Sequence, residues 1–186
     1  MKSLTVLAFL AVFLIVGCTE TPIAPIKSDN QSVHLIELPP KAGLSVENEF
    51  SVTKTINGDD GGTIKIKESY VAEDGHTVKI DVKLKINKNS FSGEETITMT
   101  VDGYYAAVWF TPHIVFSEPA KLDVKFEGIN LKELELLSGD YDFVFIPDSD
   151  PIEEVEYNSI QVQESNGKIS VKKAKLNHFS RYAFTR

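Results

Sequence analysis

The sequence predicts an all-β protein: a single antiparallel β-sandwich preceded by a cleaved signal peptide and a flexible tether. Three observations carry that prediction. Apolar residues recur with a period of two through most of the chain beyond residue 60. Gly, Asn, Asp and Pro punctuate those runs at short intervals. The helix–strand alternation of a doubly wound fold is missing, and no internal repeat stands in its place.

Residues 1–17 have the layout of a leader, with Lys2 as the positive start and Leu4 to Val16 as an apolar run. That run falls short of the roughly 20 residues a permanent membrane span needs and suits a signal h-region. It ends in Ile15-Val16-Gly17-Cys18, which resembles the lipobox of bacterial lipoproteins. In that motif a small residue precedes a cysteine that is acylated and becomes the first residue after cleavage. The resemblance implies lipidation of Cys18, palmitate included, and a lipid bilayer as partner. Several acyl chains anchor stably where one is marginal. Cys18 is the only cysteine, so no intrachain disulfide can form. Thr19 occupies the position where proteobacterial sorting reads aspartate as an inner-membrane signal, which favours the outer membrane over the inner.

Residues 18–45 read as the lipid-anchored tether. They are rich in Pro, Thr, Ser, Asn and Lys, and Pro22, Pro25, Pro39 and Pro40 favour extended backbone. Val33 to Leu38 is compatible with a short strand. Residues 46–186 are the sandwich. The chain carries −8, and losing Lys2 with the leader leaves −9. An acidic surface argues against nucleic acid and against adhesion to anionic headgroups.

Within the sandwich, Val78, Ile80, Val82, Leu84 and Ile86 alternate with Lys79, Asp81, Lys83 and Lys85, giving one apolar and one charged face. Ile97, Met99 and Val101 repeat the pattern, as do Leu122, Val124 and Phe126, and then Phe143 and Phe145. Ile129 to Leu137 has helical potential. Asn166-Gly167 lies between two alternating runs and predicts a type I′ hairpin, because both residues tolerate positive φ.

Several segments, in order, resemble the ZU-five domain, the β-sandwich of ankyrins and netrin receptors, and especially its bacterial lipoprotein versions. Gly61-Gly62-Thr63-Ile64 resembles the opening strand, and Ile86 to Phe91 the I-P-x-G-A-L turn. Phe110-Thr111-Pro112-His113 and Phe116-Ser117-Glu118-Pro119-Ala120 resemble the next motif, and His178-Phe179-Ser180-Arg181-Tyr182-Ala183 the terminal one. The likeness is clearest over 61–184. Asn87 and Asn89 depart from the family's proline and glycine, although asparagine tolerates left-handed backbone. The resemblance implies a non-enzymatic binding or scaffolding module of the bacterial envelope, with an envelope protein or a glycan as partner and no cofactor.

Three candidate sites follow. Some ZU-five proteins cut themselves between the phenylalanine and serine of an HFS motif. If residues 178–180 lie in one strand, His178 and Ser180 share a face. His178 would then serve as base, with the Ser180 hydroxyl attacking the Phe179 carbonyl. The competing reading makes the motif the last strand, with Phe179 filling the core. A second candidate is metal. His34, His76, His113 and His178 lack tight ligand spacing, which disfavours zinc. Asp59-Asp60 and Asp148-Ser149-Asp150 offer oxygens of the kind calcium takes, without EF-hand spacing, and solvated turns are preferred. In the third, alternation through Tyr104 to Phe110 places Tyr105 and Trp109 opposite the core, ready to stack on a glycan or partner. No G-x-S-x-G elbow, P-loop or H-E-x-x-H is present. Glu94-Glu95 and Glu153-Glu154 read as surface charge.

Overall fold

The computed structural model describes residues 34–43, 49–132, 140–147 and 152–186. The leader, Cys18, most of the tether, the greater part of the expected helix and the Asp148–Asp150 loop lie outside the described residues. Val33–Arg186 forms a compact unit with its own core.

The described strands are β1 (Phe50–Asn57), β2 (Gly62–Val71), β3 (Thr77–Ile86), β4 (Glu94–Val101), β5 (Ala107–Thr111), β6 (Val115–Glu127), β7 (Asp142–Ile146), β8 (Glu153–Glu154), β9 (Ser159–Gln163), β10 (Lys168–His178) and β11 (Arg181–Thr185). They build two antiparallel sheets, ordered β1-β4-β5-β11-β7-β8 and β2-β3-β6-β10-β9. The sandwich follows directly from the alternation. Val78, Ile80, Val82, Leu84 and Ile86 of β3 are fully buried, as are Leu122, Val124 and Phe126 of β6. Ile97, Met99 and Val101 of β4 face them from the other sheet, with Val108, Phe110, Phe143, Tyr182 and Phe184. On β10 the alternation slips by one residue between Val171 and Ala174, where Lys172 and Lys173 form a bulge and Lys173 takes φ 53°.

Four expectations need correction. The tether does not extend to residue 45, because His34 to Gly43 belong to the sandwich. Ile36 and Leu38 are buried, and Leu35 and Glu37 bridge to Thr185 and Tyr105. Two apolar side chains two residues apart dock this segment, together with backbone hydrogen bonds from His34, Ile36 and Leu38 to Arg186, Phe184 and Tyr104, despite the prolines that follow. The β9–β10 hairpin exists, but its loop is not a two-residue type I′ turn. Pairing stops at Gln163–Lys168, and Glu164–Asn166 make a 3-10 turn closed by Gly167 at φ 57°. Gly167 is required twice over, since a Cβ there would sit 2.1 Å from the Ile129 carbonyl oxygen. The alternation expected through Tyr104 to Phe110 starts only at β5. Ala106 and Ala107 are both buried, and Tyr104 is exposed. Lastly, His178 to Ser180 do not lie within a closing strand. β10 ends at His178 in one sheet and β11 begins at Arg181 in the other, so the motif is a corner between sheets. The final strand, β11, is then an interior strand between β5 and β7.

Candidate functional site

At that corner Phe179 is 1 % exposed and fills the end of the core. Its ring stacks on Phe110 at 4.7 Å and meets Phe116 edge-on at 4.8 Å. Phe91 continues the cluster, 6.2 Å from Phe116. Both backbone groups of Phe179 are used. Its N–H donates to the Ile114 carbonyl at 2.8 Å, and its carbonyl lies 2.9 Å from His113 Nδ1. A carbonyl can only accept, so His113 carries its proton on Nδ1. The Tyr182 hydroxyl donates to the His178 carbonyl at 2.6 Å, and burial raises its pKa well above the ordinary tyrosine value.

The three sequence segments Phe110–His113, Phe116–Ala120 and His178–Ala183 therefore meet at one end of the sandwich. The turn at Asn87 to Phe91 is tied to the same end. Asn89 has φ 59°, and the Ser117 hydroxyl donates to the Asn89 carbonyl at 2.8 Å. The buried Ser90 hydroxyl donates to the Asn87 carbonyl at 2.8 Å. The chemistry expected of this motif is not assembled in the expected way. Among the described residues no hydrogen bond joins His178 to Ser180, and the buried His178 Nδ1 has no partner. The His178 ring packs instead against Phe145, 4.8 Å away, and His113, 5.6 Å away. Because the chain changes sheets here, the two-residue spacing that would place both side chains on one face does not apply.

Beyond the corner, Arg181 Nη2 donates to Asp102 Oδ2 at 2.7 Å, and the Tyr104 and Tyr105 N–H groups donate to Asp102 Oδ1 at 2.7 and 3.1 Å. The guanidinium also lies over the Tyr105 ring, 5.8 Å from its centroid. Trp109 is half-buried on the outer face, in register between Thr100 and Arg181. Tyr105 and Trp109 are thus neighbours of one arginine, with part of each ring turned to solvent. Of the acidic turns, Asp59 and Asp60 are exposed, and the Asp59 N–H donates to Asn57 Oδ1 at 2.9 Å, as in a solvated turn. Of the histidines, His76 pairs with Asp74 and contacts the Gly128 carbonyl at 2.6 Å. Among the described residues no group of three or more His, Cys, Asp or Glu is gathered to hold a metal.

The largest feature was only half visible in the sequence. Strand pairing sets Lys83 opposite Lys65 and Asp123, Asp81 opposite Lys67 and Lys125, Lys85 opposite Lys121, and Lys79 opposite Glu127. On β10, Lys175 stands opposite Lys121, and Lys172 lies in the bulge beside Asp123. Lys168 of β10 stands beside Glu127, and Lys175 pairs with Glu156, so among the described residues the outer face of the β2-β3-β6-β10-β9 sheet holds ten lysines against the carboxylates of Asp81, Asp123, Glu127 and Glu156, a face of +6 in a chain of −8. The hydrogen bond from Lys125 at 3.0 Å holds the Glu127 carboxyl below its usual range, and the charges of Lys79 and Lys168 add to the pull. The alternation of β3 gave a quarter of this face; the register that aligns four such strands is tertiary. Comparison with protein-family models, with curated proteins and with solved structures finds no match to this chain.

Proposed function

We propose that this chain is an exported lipoprotein, anchored to a bilayer through acylated Cys18, whose sandwich serves as a non-enzymatic binding or structural module of the bacterial envelope. The observation that carries the binding role is the lysine-rich outer face of one sheet, displayed by a self-contained core. The leader and the Val16-Gly17-Cys18 sequence support the anchor, and Thr19 supports the outer membrane. The ordered motifs support a ZU-five-like sandwich. Two measurements on protein from its native envelope test the reading. Intact mass should show an N-terminus at Cys18 carrying acyl chains, and Cys18→Ser should move the protein out of the detergent phase. An unmodified Cys18 in membrane-bound protein would overturn the anchor.

A second reading, cleavage between Phe179 and Ser180, is favoured by one observation: His113 Nδ1 donates to the very carbonyl that Ser180 would attack. A donor at that oxygen stabilises the charge that develops on it. Release of Ser180 to Arg186 on denaturation, abolished by Ser180→Ala, is the expected sign. An intact wild-type mass removes this reading.

A further inference from the structure

We propose that the lysine face of the β2-β3-β6-β10-β9 sheet lies down on a bilayer of anionic phospholipid. The inference rests on the membrane-anchored reading only for where the domain is kept; the face carries the chemistry itself.

The lysines form a two-dimensional field. Neighbouring strands are about 4.8 Å apart and successive outward residues about 6.7 Å apart. The field therefore covers four strands and four rows, about 14 Å by 20 Å. Its rows run Lys85–Lys121–Lys175, Lys65–Lys83–Asp123–Lys172, Lys67–Asp81–Lys125 and Lys79–Glu127–Lys168. Glu156 pairs with Lys175 at the edge, and the other three carboxylates are engaged within the face. Asp123 Oδ1 accepts from the Lys173 N–H at 2.9 Å, Glu127 from Lys125, and Asp81 lies between Lys67 and Lys125. Lys173, in the bulge, adds one more exposed cation. Net charge of the whole chain hides this, because the balancing acids stand elsewhere, at Asp59, Asp60, Glu73, Asp74, Glu94 and Glu118 among others.

The shape selects among anionic partners. A linear polyanion is held in a groove, with aromatic platforms along it. Here the outward positions of β2, β3 and β6 are Lys, Asp, Glu, Ser, Thr and Pro, with a valine at the end of β2 and another at the start of β6 and without an aromatic. Lys65, Lys67, Lys83, Lys125 and Lys172 instead wall a shallow depression, which admits a headgroup phosphate at the centre of a wider basic field. Its apolar contributions also sit where a bilayer would meet them. Val71 ends β2 and Val115 begins β6, both on the outward side, and they are 52 % and 69 % exposed. They flank the field at opposite ends, and interfacial burial of both adds to the charge attraction.

The test uses the unlipidated sandwich, residues 33–186, which has its own core, and vesicles of phosphatidylglycerol with phosphatidylcholine. Co-sedimentation is expected with these vesicles, absent with pure phosphatidylcholine, and lost at about 1 M salt, where the Debye length is about 3 Å. Each lysine near an anionic surface strengthens binding about fivefold. Lys83→Gln with Lys121→Gln should therefore weaken binding roughly 25-fold, and the corresponding glutamates more, whereas Lys88→Glu with Lys132→Glu, off the face, should change it less than about twofold. Binding that ignores the lipid charge, or that survives both face variants with unchanged affinity, overturns the proposal. Capture by a soluble polyuronate without binding to vesicles overturns it in favour of a glycan. Because this segment lacks Cys18, its failure leaves the anchored module standing, and an unacylated Cys18 leaves the face's lipid binding standing.

Discussion

Phe179→Ala separates an architectural corner from a reactive one. The side chain is 1 % exposed and stacked at 4.7 Å on Phe110, with Phe116 edge-on at 4.8 Å. Truncating a buried phenylalanine costs about 3–5 kcal/mol through lost transfer energy and the cavity left behind. Loss of the two ring pairs, each about 0.5–1.5 kcal/mol, pushes the value to the upper part of that range. The Phe179 backbone bonds to Ile114 and His113 survive the change, so the loss is one of packing. Against a typical domain stability of about 5–15 kcal/mol this is a third or more of the total. Ser180→Ala provides the contrast. No described hydrogen bond uses its hydroxyl, and a cost below about 0.5 kcal/mol is expected. Urea unfolding of residues 33–186, followed by Trp109 fluorescence, measures both, with an unchanged m-value as the sign that the unfolded state is not responsible. A Phe179→Ala cost under about 1 kcal/mol, or a Ser180→Ala cost equal to it, would refute the assignment of the corner to the core.

Asp102→Ala strands the Tyr104 and Tyr105 N–H groups and the Arg181 guanidinium together, and should cost about 2–4 kcal/mol in the same assay, with Asp102→Asn recovering part of it. Gly167→Ala combines a left-handed φ of 57° with a Cβ placed 2.1 Å from the Ile129 oxygen, and at least about 2 kcal/mol of destabilisation should appear in its thermal unfolding. Burial raises the Tyr70 pKa from 10.0 to about 12, so the folded state keeps a proton that the unfolded state loses between those values. Stability should accordingly fall as pH rises from 10 towards 12, by at most about 1.4 kcal/mol per pH unit for this group, and Tyr70→Phe should flatten that decline.

Strand-by-strand alternation made the sandwich legible, because each of β3, β4 and β6 is wet on one side and apolar on the other, whereas β7 buries the neighbours Phe143 and Val144 together. What escaped were features that need two segments at once. Ile36 and Leu38 sit among prolines and polar residues, and only the gap beside Thr185 and Tyr105 turns them into part of the sheet. Asn166-Gly167 is a strong local turn signal, but the close approach of Ile129 to Gly167 and the end of pairing at Gln163 select a four-residue loop. His178 and Ser180 have the right spacing for a shared face only inside a strand. The slip of β10 between Leu176 and His178, and the crossing to the other sheet, remove that premise.

Net charge conceals the lysine face for a related reason. A total of −8 describes the potential far from the molecule, whereas a surface a few ångströms away responds to the charges nearest it, within a Debye length of about 8 Å. Each lysine-bearing strand looks unremarkable alone: Lys65 and Lys67 on β2, or Lys121 and Lys125 on β6. Antiparallel register then sets Lys65 beside Lys83, and Lys121 beside both Lys85 and Lys175, on a face where like charges repel. Directly opposed like charges destabilise a sheet, and among the described residues this sheet tolerates several such pairs around only four carboxylates. A fold stabilised by its core alone gains nothing from that arrangement, and exchanging a few of these lysines for glutamate would relieve it. The repulsion is relieved equally well by an anionic surface laid against the face, which is why the segregated charge, rather than the total, points to a partner.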